Sequence, residues 1–277
     1  MRIEVISPHG FCAGVERALK MAHQAIEKTG NGMAVYGLHE IVHNEMVVQE
    51  LAAKGLRFVE SVADVPAGAT LLISAHGTSP ANFRMAEVRR LRIIDATCPF
   101  VAAGHAKIRA NFARGVRTVV IGTPDHAEVR GYLGEPGACL PEDLKPGERT
   151  EQIVQTTHDA GAHEGVCTAT RDRQRAVREF VEMRRQSAAV GVLVVGGAKS
   201  ANTRRLAEIA EQEGAHAWRI GSPDEVTTID FEGIDILGAT SGASTPESQF
   251  RAILKNVCTA GGDMVSYAPF LEEWLSG

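Results

Sequence analysis

Short β-rich runs alternate with helical patterns along nearly the whole chain, and this alternation restricts the fold more than any other feature of the sequence. The apolar run at 191–195 is typical of a strand that is covered on both faces in a parallel sheet. Apolar residues with helical spacing indicate helices over 15–26, 101–112 and 177–184. Repeated strand–helix units predict a parallel α/β fold with right-handed crossovers. The predicted strands are residues 3–6, 33–36, 70–74, 91–95, 118–121, 152–155, 190–195 and 234–238.

Composition and charge exclude several classes of function. The 277 residues are 44% hydrophobic and 23% charged, as in ordinary globular proteins. The net charge of −5 argues against nucleic acid as the main partner, because that binding depends on Lys and Arg against phosphate. No apolar run approaches the roughly 20 residues of a membrane helix, and the first residues lack the apolar segment of a secretory signal. We therefore expect a cytoplasmic protein that binds neither nucleic acid nor membranes.

The cysteines fall into two groups. Their odd number, wide spacing and lack of any CxxC pair speak against a disulfide framework, a zinc ribbon and a thioredoxin-type dithiol. Cys12, Cys98 and Cys167 share one local pattern, since each follows a short β-rich run and opens a predicted helix. Cys139 lies in a Gly/Pro-rich loop at 134–147, and Cys258 lies within a helical pattern. For these last two we expect the small buried hydrophobe that a lone cysteine usually is.

Three cysteines at helix starts favour a metal centre. The positive end of a helix lowers the pKa of a nearby thiol, and thiolates are the form that ligates metals. Soft thiolate ligands select iron–sulfur clusters, zinc or copper(I). Because a fully ligated cluster normally takes four cysteines, three leave one iron with an open position for a substrate oxygen. The pattern therefore predicts a metal centre on Cys12, Cys98 and Cys167, and an iron–sulfur cluster with one open iron is a leading candidate.

The segments that follow the predicted strands are rich in His, Ser, Thr and Asn. Ligands of open parallel sheets bind outside the carboxyl ends of the strands, and small hydroxyl and amide groups suit an oxyanion there. Each such residue alone is equally well explained as a helix cap, but six of these loops at one edge of the fold are hard to explain as caps. The segments are residues 39–44, 74–78, 125–128, 155–157, 200–203 and 240–244.

Glu128 is the candidate proton donor among these loops. It lies beside His126 in a turn bounded by Gly and Pro, where a dry pocket would raise the pKa of its carboxyl toward neutrality. The alternative is an ordinary surface glutamate. Residues 39–43 read HEIVH and fit the H-E-x-x-H zinc pattern, but that motif requires a helix. Because these residues come directly after a predicted strand and lack a clear third ligand, we set a zinc protease aside.

Several of these segments together resemble a known family, the 4-hydroxy-3-methylbut-2-enyl diphosphate reductases (LytB/IspH). They occur in the family's order over nearly the whole chain, which makes the resemblance far more specific than any one motif. The matching segments are residues 10–15 (GFCAGV), 40–44 (EIVHN), 74–77 (SAHG), 95–99 (DATCP) and 155–157 (QTT), then Cys167 with Arg173 and Gln174, and finally 240–244 (TSGAS).

The resemblance implies a fold and a reaction. The fold is three small parallel-sheet α/β domains with pseudo-threefold symmetry around a central [4Fe–4S] cluster, which Cys12, Cys98 and Cys167 ligate. The implied domains are residues 14–97, a shortened 98–166, and 1–13 plus 167–277. The reaction is a two-electron, two-proton removal of the allylic hydroxyl, which gives isopentenyl and dimethylallyl diphosphate. It is the last step of the methylerythritol phosphate route of isoprenoid biosynthesis.

Carried over residue by residue, the resemblance also implies individual roles. Glu128, with Thr156 and His126 nearby, would deliver the proton that lets the C–O bond break. Electrons would come from a ferredoxin or flavodoxin, because the sequence has no nicotinamide or flavin fingerprint. The residues that would hold the diphosphate are His43, His76, Ser200, Asn202 and Ser244.

Four departures from the family pattern bear on the substrate. The family's His-Pro-Glu reads His-Ala-Glu at 126–128, which loosens the turn that aims the glutamate. The family's Ser-Ser-Asn reads Ser-Ala-Asn at 200–202, which removes one hydroxyl. Only nine residues separate Thr157 from Cys167, so we expect a helix of the second domain to be absent. We also expect the chain to lack the family's C-terminal strand.

Two other functions stay open beside the diphosphate reductase. The same fold and cluster would also serve a different small phosphorylated or hydroxylated substrate. The chain would otherwise be a non-catalytic iron–sulfur protein, in which Glu128 and the hydroxyl-rich loops are incidental.

Overall fold

The computed structural model describes residues 1–29, 34–145, 147–154, 167–260 and 266–267. The helices in this part of the chain are α1 (Ala13–Thr29), α2 (Glu45–Ala53), α3 (Pro80–Val88), α4 (Pro99–Ala113), α5 (Ala127–Leu133), α6 (Thr168–Arg184), α7 (Ala201–Gln212) and α8 (Glu247–Ala260). The strands are β1 (Arg2–Val5), β2 (Val35–Leu38), β3 (Leu56–Val59), β4 (Thr70–Ile73), β5 (Arg92–Asp95), β6 (Arg117–Ile121), β7 (Ala138–Cys139), β8 (Thr150–Val154), β9 (Val190–Val195), β10 (His216–Ile220), β11 (Ile236–Ser241) and β12 (Ser266–Tyr267).

The chain divides into two compact units, one of residues 13–167 and one of residues 1–12 with 168–277. Within the described ranges the strands form three sheets, and every pair of neighbouring strands is parallel. The prediction of a parallel α/β fold is therefore confirmed. Among the helices described, none combines the length and the apolar character that a bilayer crossing requires.

The unit of residues 13–167 contains two of the sheets. The first has the order β3-β2-β4-β5, and β4 is buried along its whole length. Leu71 and Ile73 of β4 pack there with Leu38 of β2. The second sheet has the order β7-β6-β8. Its central strand β6 contributes Val120 to a cluster with Ile108 of α4 and residues of α5, so two helices cover that sheet.

The other unit contains the third sheet, of order β10-β9-β11-β1-β12. All six residues of β9 are buried. Because successive side chains of a strand point to opposite faces, Leu193 packs with Phe250 of α8, while Val192 packs with Phe180 of α6 and Ile209 of α7. Helices therefore lie on both faces of this sheet, which confirms the prediction for the apolar run at 191–195.

Most of the predicted elements are present, with bounds shifted by a few residues. Among the strands the largest shift is at β11, predicted at 234–238 and observed at Ile236–Ser241. The helices predicted over 15–26, 101–112 and 177–184 fall within α1, α4 and α6. Phe112 is an exception within α4, because its position on the apolar stripe predicted burial and it is 55% exposed.

Four strands were not predicted, and one of them corrects an explicit expectation. The chain was expected to lack a C-terminal strand, and this is wrong, because β12 pairs in parallel with β1. A strand of two residues has no alternation that a sequence pattern can reveal. The Gly/Pro-rich loop at 134–147 likewise contains β7 and a 3₁₀ turn at Pro141–Asp143. The helix expected to be absent before Cys167 falls at 158–166, outside the described residues.

The predicted domain bounds can be set beside this architecture. The unit of residues 1–12 with 168–277 has nearly the bounds of the predicted third domain. The two sheets of the other unit fall within the predicted ranges 14–97 and 98–166. The division into three domains and their pseudo-threefold arrangement stay predictions.

Candidate functional site

Three imidazole rings meet in the unit of residues 13–167. Nitrogen atoms of His43, His76 and His126 all lie within 4.8 Å of one another. The His43 ring stacks on His76 with ring centroids 4.4 Å apart, and His126 meets both rings edge-on. All three residues were predicted as site residues from separate loops, and the structure brings them together.

Each histidine follows the carboxyl end of a different strand. His43 lies between β2 and α2, His76 follows β4, and His126 is the N-cap residue of α5 after β6. Strands β2 and β4 are neighbours in one parallel sheet and end at the same edge, where ligands of such sheets bind, while β6 belongs to the second sheet of the unit. Asn44 caps α2 by accepting a hydrogen bond from the backbone of Val47 at 3.2 Å, which fixes the end of the His43 loop.

The hydrogen bonds of these rings define their tautomers. The Nδ1 atom of His126 accepts the backbone N–H of Glu128 at 3.2 Å, so neutral His126 carries its proton on Nε2. That Nε2 lies 3.3 Å from Nε2 of His43, which must therefore accept and carry its own proton on Nδ1. The Nδ1 of His43 in turn lies 3.3 Å from a carboxylate oxygen of Glu40. A directed chain of donors thus runs from α5 to Glu40.

Burial keeps two of the three rings, His76 and His126, uncharged. Burial, followed by the facing rings of His43 and His126, holds the pKa of His76 well below its usual value. Burial is also the first cause that lowers the pKa of His126 to about 3, with His43 and Arg130 adding to it. Near pH 7 these two rings are neutral, so a bound anion would accept hydrogen bonds from their N–H groups. The charge of the anion would also favour protonation of the rings. The three nitrogens are also a donor set that suits a divalent transition metal.

The HEIVH segment does not form the helical zinc motif. Residues 39–43 are irregular, and α2 begins only at Glu45. His39 has a positive φ of 58°, and its Nδ1 lies 3.0 Å from a carboxylate oxygen of Glu60 rather than beside His43. The zinc-protease interpretation is therefore excluded on geometry.

Glu128 is buried at the start of α5. Its side chain is 1% exposed, so the alternative of a surface glutamate is wrong. His126 occupies the N-cap position with φ −67° and ψ 138°, and Ala127 takes the first helical position where the family has proline. A carboxylate in the first helical turn faces the positive end of the helix. The helix start therefore holds Glu128 two residues from an imidazole of the cluster.

A second polar cluster lies in the other unit, where β9 and β11 end. Ser200 is the N-cap residue of α7, and its hydroxyl accepts the backbone N–H of Thr203 at 3.3 Å. Asn202, Thr203 and Ser244 are also buried. The predicted residues Ser200, Asn202 and Ser244 thus lie in loops and a helix start at the same sheet edge. We call these three residues, together with Thr203, the hydroxyl–amide cradle.

The cradle contains polar atoms that the protein itself leaves unsatisfied. Within the described residues, both side-chain amide atoms of Asn202 and the hydroxyl of Thr203 are buried without a hydrogen-bond partner. A Cβ on Gly196 or on Gly242 would lie 2.3 Å from that hydroxyl, so only glycine fits at either position. Buried polar groups are normally paired, and unpaired ones point to a missing ion or ligand. Amide and hydroxyl donors beside a helix N-terminus suit an oxyanion.

The three cysteines at helix starts fit an iron–sulfur cluster in their donor chemistry. Cys98 is the N-cap residue of α4, Cys12 directly precedes α1 and Cys167 directly precedes α6. Each thiol is partly exposed, and none of them forms a disulfide. The Cys98 thiol does not cap its helix, and its backbone N–H is bonded to Ala75 at 2.9 Å. Soft donors at positive helix ends suit an anionic cluster.

The loop that carries Cys12 is held within its own unit. The backbone N–H of Cys12 donates to the carbonyl of Ala243 at 3.1 Å, next to Ser244 of the cradle. Gly10 donates to the Ser241 hydroxyl and accepts from the Arg173 guanidinium, each at 2.8 Å. Arg173 lies in the matched segment after Cys167, and the structure gives it the role of fixing the Cys12 loop.

Of the two remaining cysteines, Cys139 is buried as expected and Cys258 is only partly buried. Cys139 is 3% exposed in β7, where burial raises the pKa of its thiol. Cys258 packs against the core of its unit from α8.

Some predicted residues lie outside the description, and some described ones were missed. Thr156, with the rest of 155–157, falls outside the described residues. Thr203 was part of a predicted loop but received no role, although it adjoins Asn202. Tyr132 was missed entirely. Its spacing of four residues from Glu128 on a helix was the signal available.

These features define a class: an α/β protein of small parallel sheets, with polar clusters at the sheet edges and three thiols at helix starts. A family model described as "LytB protein" matches residues 3–160 and 145–258. The chain belongs to the LytB family, which confirms the resemblance seen in the sequence.

Relatives and solved structures agree with this assignment. The 4-hydroxy-3-methylbut-2-enyl diphosphate reductase of Glaesserella parasuis is 35% identical, with 99% of this chain and 95% of the relative covered. The structure of the E-1-hydroxy-2-methyl-but-2-enyl-4-diphosphate reductase from Plasmodium falciparum matches with a TM-score of 0.85 and 25% identity, over 96% of this chain and 91% of that one. A structure described as (E)-4-hydroxy-3-methyl-but-2-enyl diphosphate reductase, the terminal enzyme of the non-mevalonate pathway, matches with a TM-score of 0.64 and 28% identity, over 92% and 98%.

Proposed function

We propose that this chain removes the allylic hydroxyl of 4-hydroxy-3-methylbut-2-enyl diphosphate and yields isopentenyl and dimethylallyl diphosphate. The C–O bond breaks, the hydroxyl leaves as water and a C–H bond forms, at a cost of two electrons and two protons. Support comes from relatives that are named 4-hydroxy-3-methylbut-2-enyl diphosphate reductase, since the chain matches them over nearly their whole length. The observation that carries the proposal for this chain is the hydroxyl–amide cradle. Within the described residues its buried Asn202 amide and Thr203 hydroxyl have no hydrogen-bond partner, and such groups suit a polar ligand.

We assign the diphosphate to two sets of donors. The hydroxyl–amide cradle offers neutral donors, with Asn202 contributing an amide that the protein leaves unpaired. His43 and His76 offer imidazole N–H groups as further donors to the anion. The hydroxyl lost at Ala201 is offset by Thr203, whose buried hydroxyl lies in the same cradle.

We assign proton delivery to Glu128. Its burial keeps water from competing for the proton, and His126 fixes the helix start that carries it. Thr156 stays in the assignment on the resemblance alone.

We further propose a [4Fe–4S] cluster on Cys12, Cys98 and Cys167. When bound, the cluster would supply electrons and a Lewis-acidic iron with one open coordination position. A ferredoxin or flavodoxin as the electron donor and a cytoplasmic location complete the proposal, and both rest on the sequence.

Anaerobic turnover tests the reaction. Protein purified without oxygen and shown to contain iron and sulfide is mixed with the diphosphate substrate and a strong one-electron reductant, and the products are separated by chromatography. We expect both isomeric diphosphates. A fully loaded protein that forms neither product, yet reduces another phosphorylated allylic alcohol, would show that the fold serves a different substrate.

Paired cysteine variants test the cluster separately. Cys98→Ser should lose most of the bound iron, because a hydroxyl is a poor ligand for a soft metal centre. Cys139→Ser, at a buried cysteine in β7, should keep the iron content of the native protein. Equal iron in both variants would overturn the assignment of ligands without bearing on the diphosphate cradle.

A further inference from the structure

Tyr132 is the largest fully buried side chain near the candidate proton donor. It lies on α5 with Glu128 four residues before it, and residues with this spacing are neighbours on one face of a helix. Tyr132 is 0% exposed and Glu128 is 1% exposed, so both polar ends lie out of water. A buried tyrosine hydroxyl usually has a hydrogen-bond partner. Two adjacent buried polar groups on one helix face are natural partners.

The position of the hydroxyl is enforced by its surroundings. A Cβ on Gly104 of α4 would lie 2.5 Å from the Tyr132 hydroxyl, so the ring reaches its place only because residue 104 has no side chain. His105 packs against the same ring with centroids 4.8 Å apart. His105 itself is held by Glu135, whose carboxylate lies 2.8 Å from its Nδ1. The neighbouring helix therefore fixes the tyrosine ring on one side.

Glu128 is a buried acceptor on the same helix face as the Tyr132 hydroxyl. Within the described residues the hydroxyl makes no hydrogen bond of regular geometry. Burial first, and then the carboxyl of Glu128, raise the pKa of Tyr132 far above its usual value, so the phenol keeps its proton and can donate a hydrogen bond.

We propose that the Tyr132 hydroxyl donates a hydrogen bond to the Glu128 carboxyl and thereby holds it in the orientation for proton transfer. Tyr132 is a positioning residue, since it acts through Glu128. The inference rests on the proton-donor role assigned to Glu128 under the proposed function. Gly104 contributes to this arrangement, because it provides the space that the Tyr132 hydroxyl occupies.

Kinetics of Tyr132→Phe test the role in catalysis. The variant loses one oxygen atom and keeps the packed ring, so we expect a fall in kcat of about threefold to tenfold with little change in KM, because one hydrogen bond to a positioned group is lost. In a Glu128→Gln background the same change should have no further effect on kcat. Tyr36→Phe, at a tyrosine on β2 in the other sheet of the unit, is the matched control and should behave as the native protein. An unchanged kcat in Tyr132→Phe, or equal losses in both backgrounds, would overturn the proposal.

A spectroscopic readout separates this inference from the proposed function. The chain has three tyrosines, so protein labelled with ¹³C at the tyrosine ring carbon that bears the hydroxyl should give three resonances, each assigned by its loss in a Tyr→Phe variant. In substrate-free protein, Glu128→Gln should shift the Tyr132 resonance and leave the Tyr36 resonance in place. This result does not require turnover, so it holds even if the substrate is wrong. A Tyr132 resonance that does not shift in Glu128→Gln would contradict the proposed contact itself.

Discussion

Helices α5 and α7 begin in the same way but present different chemistry. In each, the N-cap side chain accepts a backbone N–H, alanine takes the first helical position, and the next residue is a buried polar group. On α5 that residue is Glu128 behind His126, and both are ionisable. On α7 it is Asn202 behind Ser200, and both are neutral. One helix start is therefore suited to moving a proton, and the other to holding an anion with fixed dipoles.

Glu128→Gln should have the largest effect of these variants. Its effect should be confined to the proton-donor function at the start of α5. The amide keeps the shape of the side chain but cannot donate the acidic proton, so kcat should fall by about 10²–10⁴ while substrate binding stays near the native value. Steady-state kinetics with cluster-loaded protein measure this. Glu148→Gln, at a carboxylate on the far side of the same unit, is the control. A fall in binding as large as the fall in kcat would show that Glu128 belongs to the anion site instead.

Asn202→Ala should separate binding from stability on α7. The unpaired amide contributes nothing to the folded protein, so its removal should leave the free energy of unfolding unchanged or raise it by about 1 kcal/mol. Binding of inorganic diphosphate should weaken about tenfold, because one hydrogen bond to a charged ligand is lost. Calorimetry measures the binding, and urea unfolding measures the stability.

Asn111→Ala is the matched control for that experiment. Asn111 is also buried, but its amide donates to the Thr118 hydroxyl at 3.0 Å. This variant should lose stability and keep its affinity for diphosphate. If Asn202→Ala lost stability as Asn111→Ala does, the amide would be a structural group and the cradle would lose its main support.

The pH dependence of stability should belong to the histidine cluster that α5 helps to form. His76 and His126 have pKa values below that of an unfolded histidine, so the unfolded chain binds more protons as the pH falls below about 6.5. Stability is therefore fully present above that pH and is lost as the pH falls, by at most about 1.4 kcal/mol per pH unit for each histidine. His126→Gln should flatten the dependence of the urea midpoint on pH between about 4 and 6.5. His216→Gln, at an exposed strand residue, should leave it unchanged.

Ala127→Pro should have the smallest effect and would sharpen the comparison of the two helix starts. Proline is favoured at the first helical position, and the residue before it must be extended, as His126 is with φ −67° and ψ 138°. We expect the free energy of unfolding to rise by about 0.5 kcal/mol through the reduced freedom of the unfolded chain. Urea unfolding checks this. A loss of stability would mean that the start of α5 is shaped differently from a regular helix start.

The sequence was sufficient to predict the features that depend on local pattern. The apolar run in β9, the helical spacing in α1 and the place of Cys98 at the start of α4 are each determined by residues close together in the chain. His43 and His76 follow neighbouring strands of one parallel sheet, so their loops could be predicted to lie at one edge. His126 follows a strand of a second sheet, and only the structure shows that it meets the other two rings.

What the sequence could not predict depends on distant neighbours. The hydroxyl of Thr203 matters because Gly196 and Gly242 leave room for it, and that of Tyr132 because Gly104 does. None of these pairs is visible from spacing along the chain. Strand β12 was missed for a related reason, since only its partner β1 makes two residues into a strand.

The position of β1 has a consequence for the order of synthesis. Of the described strands this one is synthesised first, yet it lies between β11 and β12, which are synthesised after all the others. The unit of residues 13–167 is complete long before that, and domains generally fold as units as they emerge. Cys12 must therefore remain on an unpaired segment until β11 has been translated. We expect that any metal centre that includes Cys12 is completed late in the maturation of the protein.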